Sequence, residues 1–172
     1  MLELALVVPF LLVLFGGAVQ LGVFFAAQNS LTQVARDTAR WAATQTYNPC
    51  SDAATGSPSP LLGKADEIAT ASSILGYTSG TWNSANFTNP STLPANPPNN
   101  EGVEVAWSWE TGGACPPADN VKAAYVTIRV THSVPVLIPG LEYLPAFGTC
   151  DASGCHFQLT STSTFRMEPP RQ

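Results

Sequence analysis

Met1–Gln28, MLELALVVPFLLVLFGGAVQLGVFFAAQ, is the stretch on which the fold turns. From Leu4 to Ala27 only Gln20 is plainly polar. A run of about 24 residues makes a helix roughly 36 Å long, against a bilayer hydrocarbon core of about 30 Å. A secretory signal peptide would carry a basic lead and an apolar region of only about 7 to 15 residues. No Lys or Arg precedes Arg36 here. The stretch therefore predicts a helix that remains as a membrane anchor, with the rest of the chain carried on one side.

Three kinds of residue interrupt the apolar run. Glu3 stands at its start, where a carboxylate is far less costly than at the bilayer centre. It is either a solvated terminal charge or the partner of a cation, such as the α-amino group of a neighbouring subunit. Pro9 removes a backbone donor and is expected to loosen the helix. Gly16, Gly17 and Gly22 permit close helix approach but form no GxxxG spacing.

Moving outward, the helix is expected to continue beyond the membrane. Leu31, Val34, Ala35, Thr38, Trp41 and Ala42 recur at helical spacing, with Gln33, Arg36, Asp37 and Arg40 on other faces. This second half needs a surface to pack on. The 172 residues allow an anchor and one further domain. We divide the chain into a transmembrane segment, 1–28, and an extracytoplasmic α+β domain, 29–172. Within it, 29–47 continues the helix, 48–100 is loop-rich with a short helix, and 101–172 forms a sheet.

Composition narrows the function. Charged residues make up 11% of the chain and the net charge is −5. No basic patch is present to neutralise phosphates, so nucleic acid is not an expected partner. The four cysteines, Cys50, Cys115, Cys150 and Cys155, all follow the anchor. An even number in a small loop-rich domain favours disulfides outside the reducing cytosol. Cys150–Cys155, closing a short loop, and Cys50–Cys115 are the expected pairs. Arg36 and Arg40 alone would place the domain on the cytoplasmic side. The cysteines place it on the other, and we follow the cysteines.

The short helix is expected over Lys64–Leu75, with Gly76 as its stop. Tyr77 to Asn100 reads as a long loop. Val103, Val105, Trp107 and Trp109 alternate with small or polar residues, which marks a strand. Ala124, Val126, Ile128 and Val130 mark a second strand, with Tyr125, Thr127, Arg129 and Thr131 on its opposite face. Phe157, Leu159, Ser161, Ser163 and Phe165 mark a third. Glu101, Glu104 and Glu110 are expected to face solvent. These strands make an antiparallel sheet with one apolar face, and the long helix is the element available to cover it. The fold class is α+β and pilin-like.

The opening LELALVVPFLLVLFGGAVQLG, the following SLTQVARDTARWAA, and the closing VTIRVTHSVPVLIPGL with STSTFRME together resemble the TadE-like family. Its members are pilin-like proteins of the tight-adherence (Flp) pilus assembly system. The resemblance implies a minor pilin or pseudopilin, held by a single pass in the cytoplasmic membrane and capable of entering a surface pilus. It implies partners among other pilin subunits and the pilus assembly machinery, besides the lipid around the helix. Glu3 takes the place of the glutamate of the prepilin signal, Pro9 that of the helix proline, and Arg36 and Arg40 that of the paired arginines after the span. Members of the family are cut after a glycine, with the glutamate fifth in the mature chain, whereas Glu3 is third in this sequence.

Other chemistries find little support in the sequence. There is no GxSxG elbow, HExxH, P-loop or GxGxxG. His132 and His156 are the only histidines, and both are expected to be structural or incidental. A metal site built from Cys115, Cys150, Cys155 and His156 matches no zinc spacing. No enzyme activity and no cofactor are expected. The competing function is a monomeric membrane-anchored binding module for carbohydrate or protein. Trp82 and Phe87 in the loop, with Trp107 and Trp109 on the strand, would then form its partner surface.

Overall fold

The computed structural model describes residues 2–44, 60–82, 87–88, 93, 101–109, 124–137, 149–151 and 154–167. The side chains of 2–6, 87, 88, 107, 109, 124, 149 and 151 fall outside the description. Cys50 and Cys115 also lie outside it.

The first element, α1 (Leu2–Thr44), is a single helix of 43 residues, or roughly 64 Å. It passes through Pro9 without interruption. Pro9 sits where only the carbonyl one turn earlier loses a partner. The expected loosening is thus accommodated within one continuous helix. The second helix, α2 (Pro60–Ala71), starts earlier and ends earlier than the sequence pattern suggests. Pro60 occupies the first turn, where a missing N–H has no consequence. Ser73 and Gly76 then take positive φ values of 49° and 82°, which ends the helix before Gly76 is reached.

Among the described residues five strands follow: β1 (Phe87–Thr88), β2 (Gly102–Trp109), β3 (Ala124–Pro135), β4 (Thr149–Asp151) and β5 (Gly154–Arg166). They form one sheet in the order β1-β2-β3-β5-β4. The three long strands β2, β3 and β5 are antiparallel neighbours. Short β1 adds in parallel at one edge, and β4 closes a hairpin on β5 at the other.

Register explains the two faces. Val103 pairs with Val130 and Val105 with Ile128. Val126, Ile128, Val130, His132 and Val134 pair in turn with Phe157, Leu159, Ser161, Ser163 and Phe165 in reverse order. Side chains alternate along a strand, so these positions share a face. On it packs the inner stripe of α1: Ala27, Leu31, Val34, Ala35, Thr38, Ala39 and Ala42, all buried. Trp41 is half-buried against this core. Leu61, Leu62, Ala65 and Ala69 of α2 join the same cluster.

The small residues of β5 admit the helix closely. Ser161 Oγ lies 3.3 Å from Thr32 Oγ1, and Gln28 Nε2–H donates to the Thr160 carbonyl at 3.3 Å. Phe24 meets Phe157 edge-on at 5.9 Å. These contacts rise together, so α1 runs alongside β5 in the same direction and antiparallel to β3.

Two expectations about polar residues need correction. Glu104 does not face solvent. It is 5% exposed and opposes Arg129 across the β2–β3 ladder, with Nη1 to Oε2 at 3.2 Å. Glu101 is likewise drawn in, its carboxylate accepting from the Ser133 N–H at 3.0 Å. A carboxylate on a strand enters the interior when a cation or an amide is built opposite it.

Candidate functional site

The residues that bear on function lie along α1 and at the end of the sheet nearest its free half. From Val7 to Val19 the helix is exposed or half-exposed on every side, with Phe15 at 69%. From Val7 onward α1 is long and apolar enough to cross a membrane, and only 6% of its most apolar 18-residue stretch is buried. A core helix of a water-soluble domain would be covered. Packing begins at Gln20, which is 3% exposed. Its Oε1 accepts from the Leu137 N–H at 2.9 Å, while its Nε2 is buried without a hydrogen-bond partner among the described residues. Gln20 thus pins the segment after β3 to the helix, a role the sequence marked only as one polar residue in an apolar run.

The residues expected to act in assembly distribute along this rod. Glu3 lies in the first turn of α1, and its side chain falls outside the description. Pro9 is on the exposed part. Arg36 and Arg40 are exposed, one turn apart, on the stripe facing away from the sheet, with Gln33 and Asp37. Gly17 and Gly22 have open space where a Cβ would be.

Cys150 and Cys155 form a disulfide across the β4–β5 hairpin, with Cα atoms 4.0 Å apart. Gly154 takes φ 124° in its turn. The Val136 N–H donates to the Cys155 carbonyl at 2.9 Å, which brings this hairpin beside the segment held by Gln20.

Of the four aromatic residues expected on a partner surface, Trp82 is the one whose side chain is described. Trp82 is not on the surface: it is 2% exposed, and its Nε1–H donates to the Thr131 carbonyl at 3.2 Å. The loop after α2 folds back to bury an indole that pays its hydrogen bond to a strand carbonyl. The backbone of Phe87 pairs with Val103, that of Trp107 with Val126 and that of Trp109 with Ala124. Their side chains fall outside the description.

Around Trp82 a polar knot closes the loop. Tyr77 packs edge-on against Trp82 at 4.8 Å and against His132 at 5.5 Å. The Tyr77 hydroxyl donates to Asp66 Oδ1 at 2.6 Å, and Ser79 and the Gly80 N–H also donate to this carboxylate. Burial raises the Asp66 carboxyl, but the three hydrogen bonds outweigh it and hold the group below its ordinary range. Burial, and then the bond to Asp66, push the Tyr77 phenol far above its ordinary value.

His132 is fully buried at 1% exposure. Its Nε2 lies 3.1 Å from the Leu75 carbonyl, which can only accept, so the proton is on Nε2. Nδ1 lies 3.2 Å from Glu101 Oε1. Burial raises the Glu101 carboxyl; the His132 ring and the Ser133 N–H outweigh this and hold it below its ordinary value. His132 and Trp82 together serve as cross-braces between the loop after α2 and β3.

Comparison with known proteins adds one finding. A family model described as TadE-like protein matches residues 1–40. No curated protein matches the chain, and no solved structure does. The matched residues take in the whole exposed apolar helix and the first turns that pack on the sheet, including Glu3, Pro9, Arg36 and Arg40. In this N-terminal segment the chain is similar to the TadE-like family.

Proposed function

We propose that this protein is a pilin-like structural subunit, a minor pilin or pseudopilin, of a tight-adherence pilus. One observation carries the reading: a single unbroken helix is bare and apolar on every side over its first half, and packed into a folded domain over its second. A rod of this kind can sit in lipid and then exchange lipid for neighbouring helices, because its side chains from Val7 to Val19 need no polar partner in either place. The cross-strand disulfide favours an oxidising compartment for the domain, so the anchor enters the membrane with its C-terminal domain outside the cytoplasm. Partners are other pilin subunits and the machine that assembles them.

The test centres on Glu3. A carboxylate in the first turn of an apolar helix needs a cation once the helix is buried among others. The α-amino group of a neighbouring subunit supplies it. Glu3→Ala is expected to leave membrane insertion intact and to abolish incorporation into sheared surface fibres. Normal piliation with this variant would refute the assignment. Recovery of the native protein from membranes alone, never with fibres or pilus machinery, would favour the anchored binding module instead.

A further inference from the structure

Outside α1, the large hydrophobic side chains exposed among the described residues are Leu75, at 41%, and Leu137, at 51%. Both belong to the same end of the domain. Leu137 is held to α1 by the Gln20 hydrogen bond. Leu75 is held to β3 through its carbonyl and the His132 ring. The adjoining Gly76 lies so close to β3 that an added Cβ would stand 3.3 Å from Pro135 Cδ, two residues before Leu137. The exposed apolar residues of the domain thus gather where α1 leaves it.

The helix itself carries apolar surface past this point. Val19, Leu21 and Phe25 are all exposed, on sides of α1 that the sheet does not cover. Phe25 stands about 7.5 Å further up the axis than Gln20. No charged residue occurs between Glu3 and Arg36. A bilayer that covers the exposed apolar helix as far as Phe25 therefore reaches the end of the domain at Gln20 and Leu137. From Leu2 to Phe25 the helix measures roughly 36 Å, somewhat more than a hydrocarbon core of about 30 Å.

We infer that this end of the domain is a lipid-contacting surface: before assembly, Leu137 and Leu75 rest in the interface of the membrane that α1 crosses. The Gln20–Leu137 bond fixes the angle between anchor and domain, so that the sheet stands on the bilayer instead of swinging above it. The inference rests on the anchor reading of α1. Interfacial docking of apolar side chains by the side of a spanning helix adds contact area at small ordering cost, because the helix already holds the domain at the surface.

The experiment uses the full chain in phosphatidylcholine vesicles, with lipids brominated high on the acyl chain or near its end. A genetically encoded fluorescent amino acid replaces Leu12, Leu137 or Ser108 in separate preparations. Ser108 is exposed and lies near the opposite end of the sheet, paired with Tyr125. The Leu137 probe is expected to be quenched about twofold by the shallow bromolipid and less by the deep one, as befits a side chain at the headgroup–acyl boundary. The Leu12 probe is expected to be quenched by the deep lipid, and the Ser108 probe by neither. Quenching at Leu12 with none at Leu137 would overturn the inference while leaving the anchor in place. An absence of quenching at Leu12 would remove both. An emission change at Leu137 that follows the protein-to-lipid ratio, without quenching, would assign the surface to a second copy of the chain and overturn the lipid assignment.

Discussion

Glu104 and Arg129 oppose each other across two central strands, and both are almost fully enclosed. A buried pair of this kind contributes little relative to an apolar pair, yet losing one partner strands a charge. Arg129→Met is expected to lower stability by about 3–5 kcal/mol, with Glu104→Leu/Arg129→Met recovering most of the loss. Urea unfolding of the three proteins would check this, and additive losses would contradict it. Tyr77 offers a second test, because its phenol is raised by burial and by Asp66. A raised folded value means that stability is fully present below the ordinary phenol value of 10.0 and declines as pH rises above it. Melting temperatures of the native chain should therefore fall above that pH, and those of Tyr77→Phe should fall less. Glu101 works in the opposite sense. Its lowered carboxyl contributes stability above the ordinary value of 4.5 that is lost as pH drops through the folded value. Glu101→Gln should flatten that acid decline. None of these residues was legible as buried from the sequence. Alternation places Glu104 and Arg129 on the face away from Val103 and Val130, and says nothing of whether that face is covered. Trp82 and His132 depend on a loop that turns back onto β3, and local periodicity carries no trace of a contact between residues 49 or more positions apart, such as Trp82 Nε1 with the Thr131 carbonyl.

Elements were far more readable than residues, because their periods are set by backbone geometry. The helix stripe Leu31, Val34, Ala35, Thr38 and Ala42 is the face that packs, and the alternating sets on β2, β3 and β5 meet in one register. Alternation of period two leaves no room for a one-residue slip without turning the apolar face outward. What periodicity missed were the ends: α2 gains a first turn from Pro60, and β1 and β4 are too short to show a pattern. The cysteine pairing across β4–β5 was legible because a short loop between two cysteines fits a hairpin. The run of hydroxyl residues in β5 has a structural reason. Ser161 and Ser163 sit on the face toward α1 where Ile128 and Val130 of β3 are their neighbours. Ser161 lies within 3.3 Å of Thr32 on the helix. A larger side chain there must push α1 away from the sheet. Ser161→Leu is expected to destabilise the domain by about 1–3 kcal/mol, as overpacking in a closed core does. A shift of the urea midpoint in the other direction would mean that the interface has slack.

At the scale of the whole molecule, one helix serves two solvents. Its outer half presents Phe10, Leu12, Val13, Phe15 and Val19 to the surroundings, while its inner half supplies the main wall of the core. The division falls at Gln20, whose side-chain Oε1 accepts from the Leu137 N–H. The exposed half contributes nothing to the packed cluster, in which the first member from α1 is Ala27. Solubility and fold should therefore separate cleanly. A chain beginning at Val19 keeps Gln20, the packed stripe and all the strands, and loses most of the apolar surface that requires lipid. It is expected to be soluble without detergent and to melt within a few degrees of the full chain in detergent micelles. The full chain is expected to stay in the membrane through a high-salt wash, since its attachment depends on apolar area and not on charge. Aggregation of the shortened chain with loss of its cooperative transition would mean that the first half of α1 does more than anchor: it would be part of the fold itself, and the rod and the domain could not be treated as separable parts.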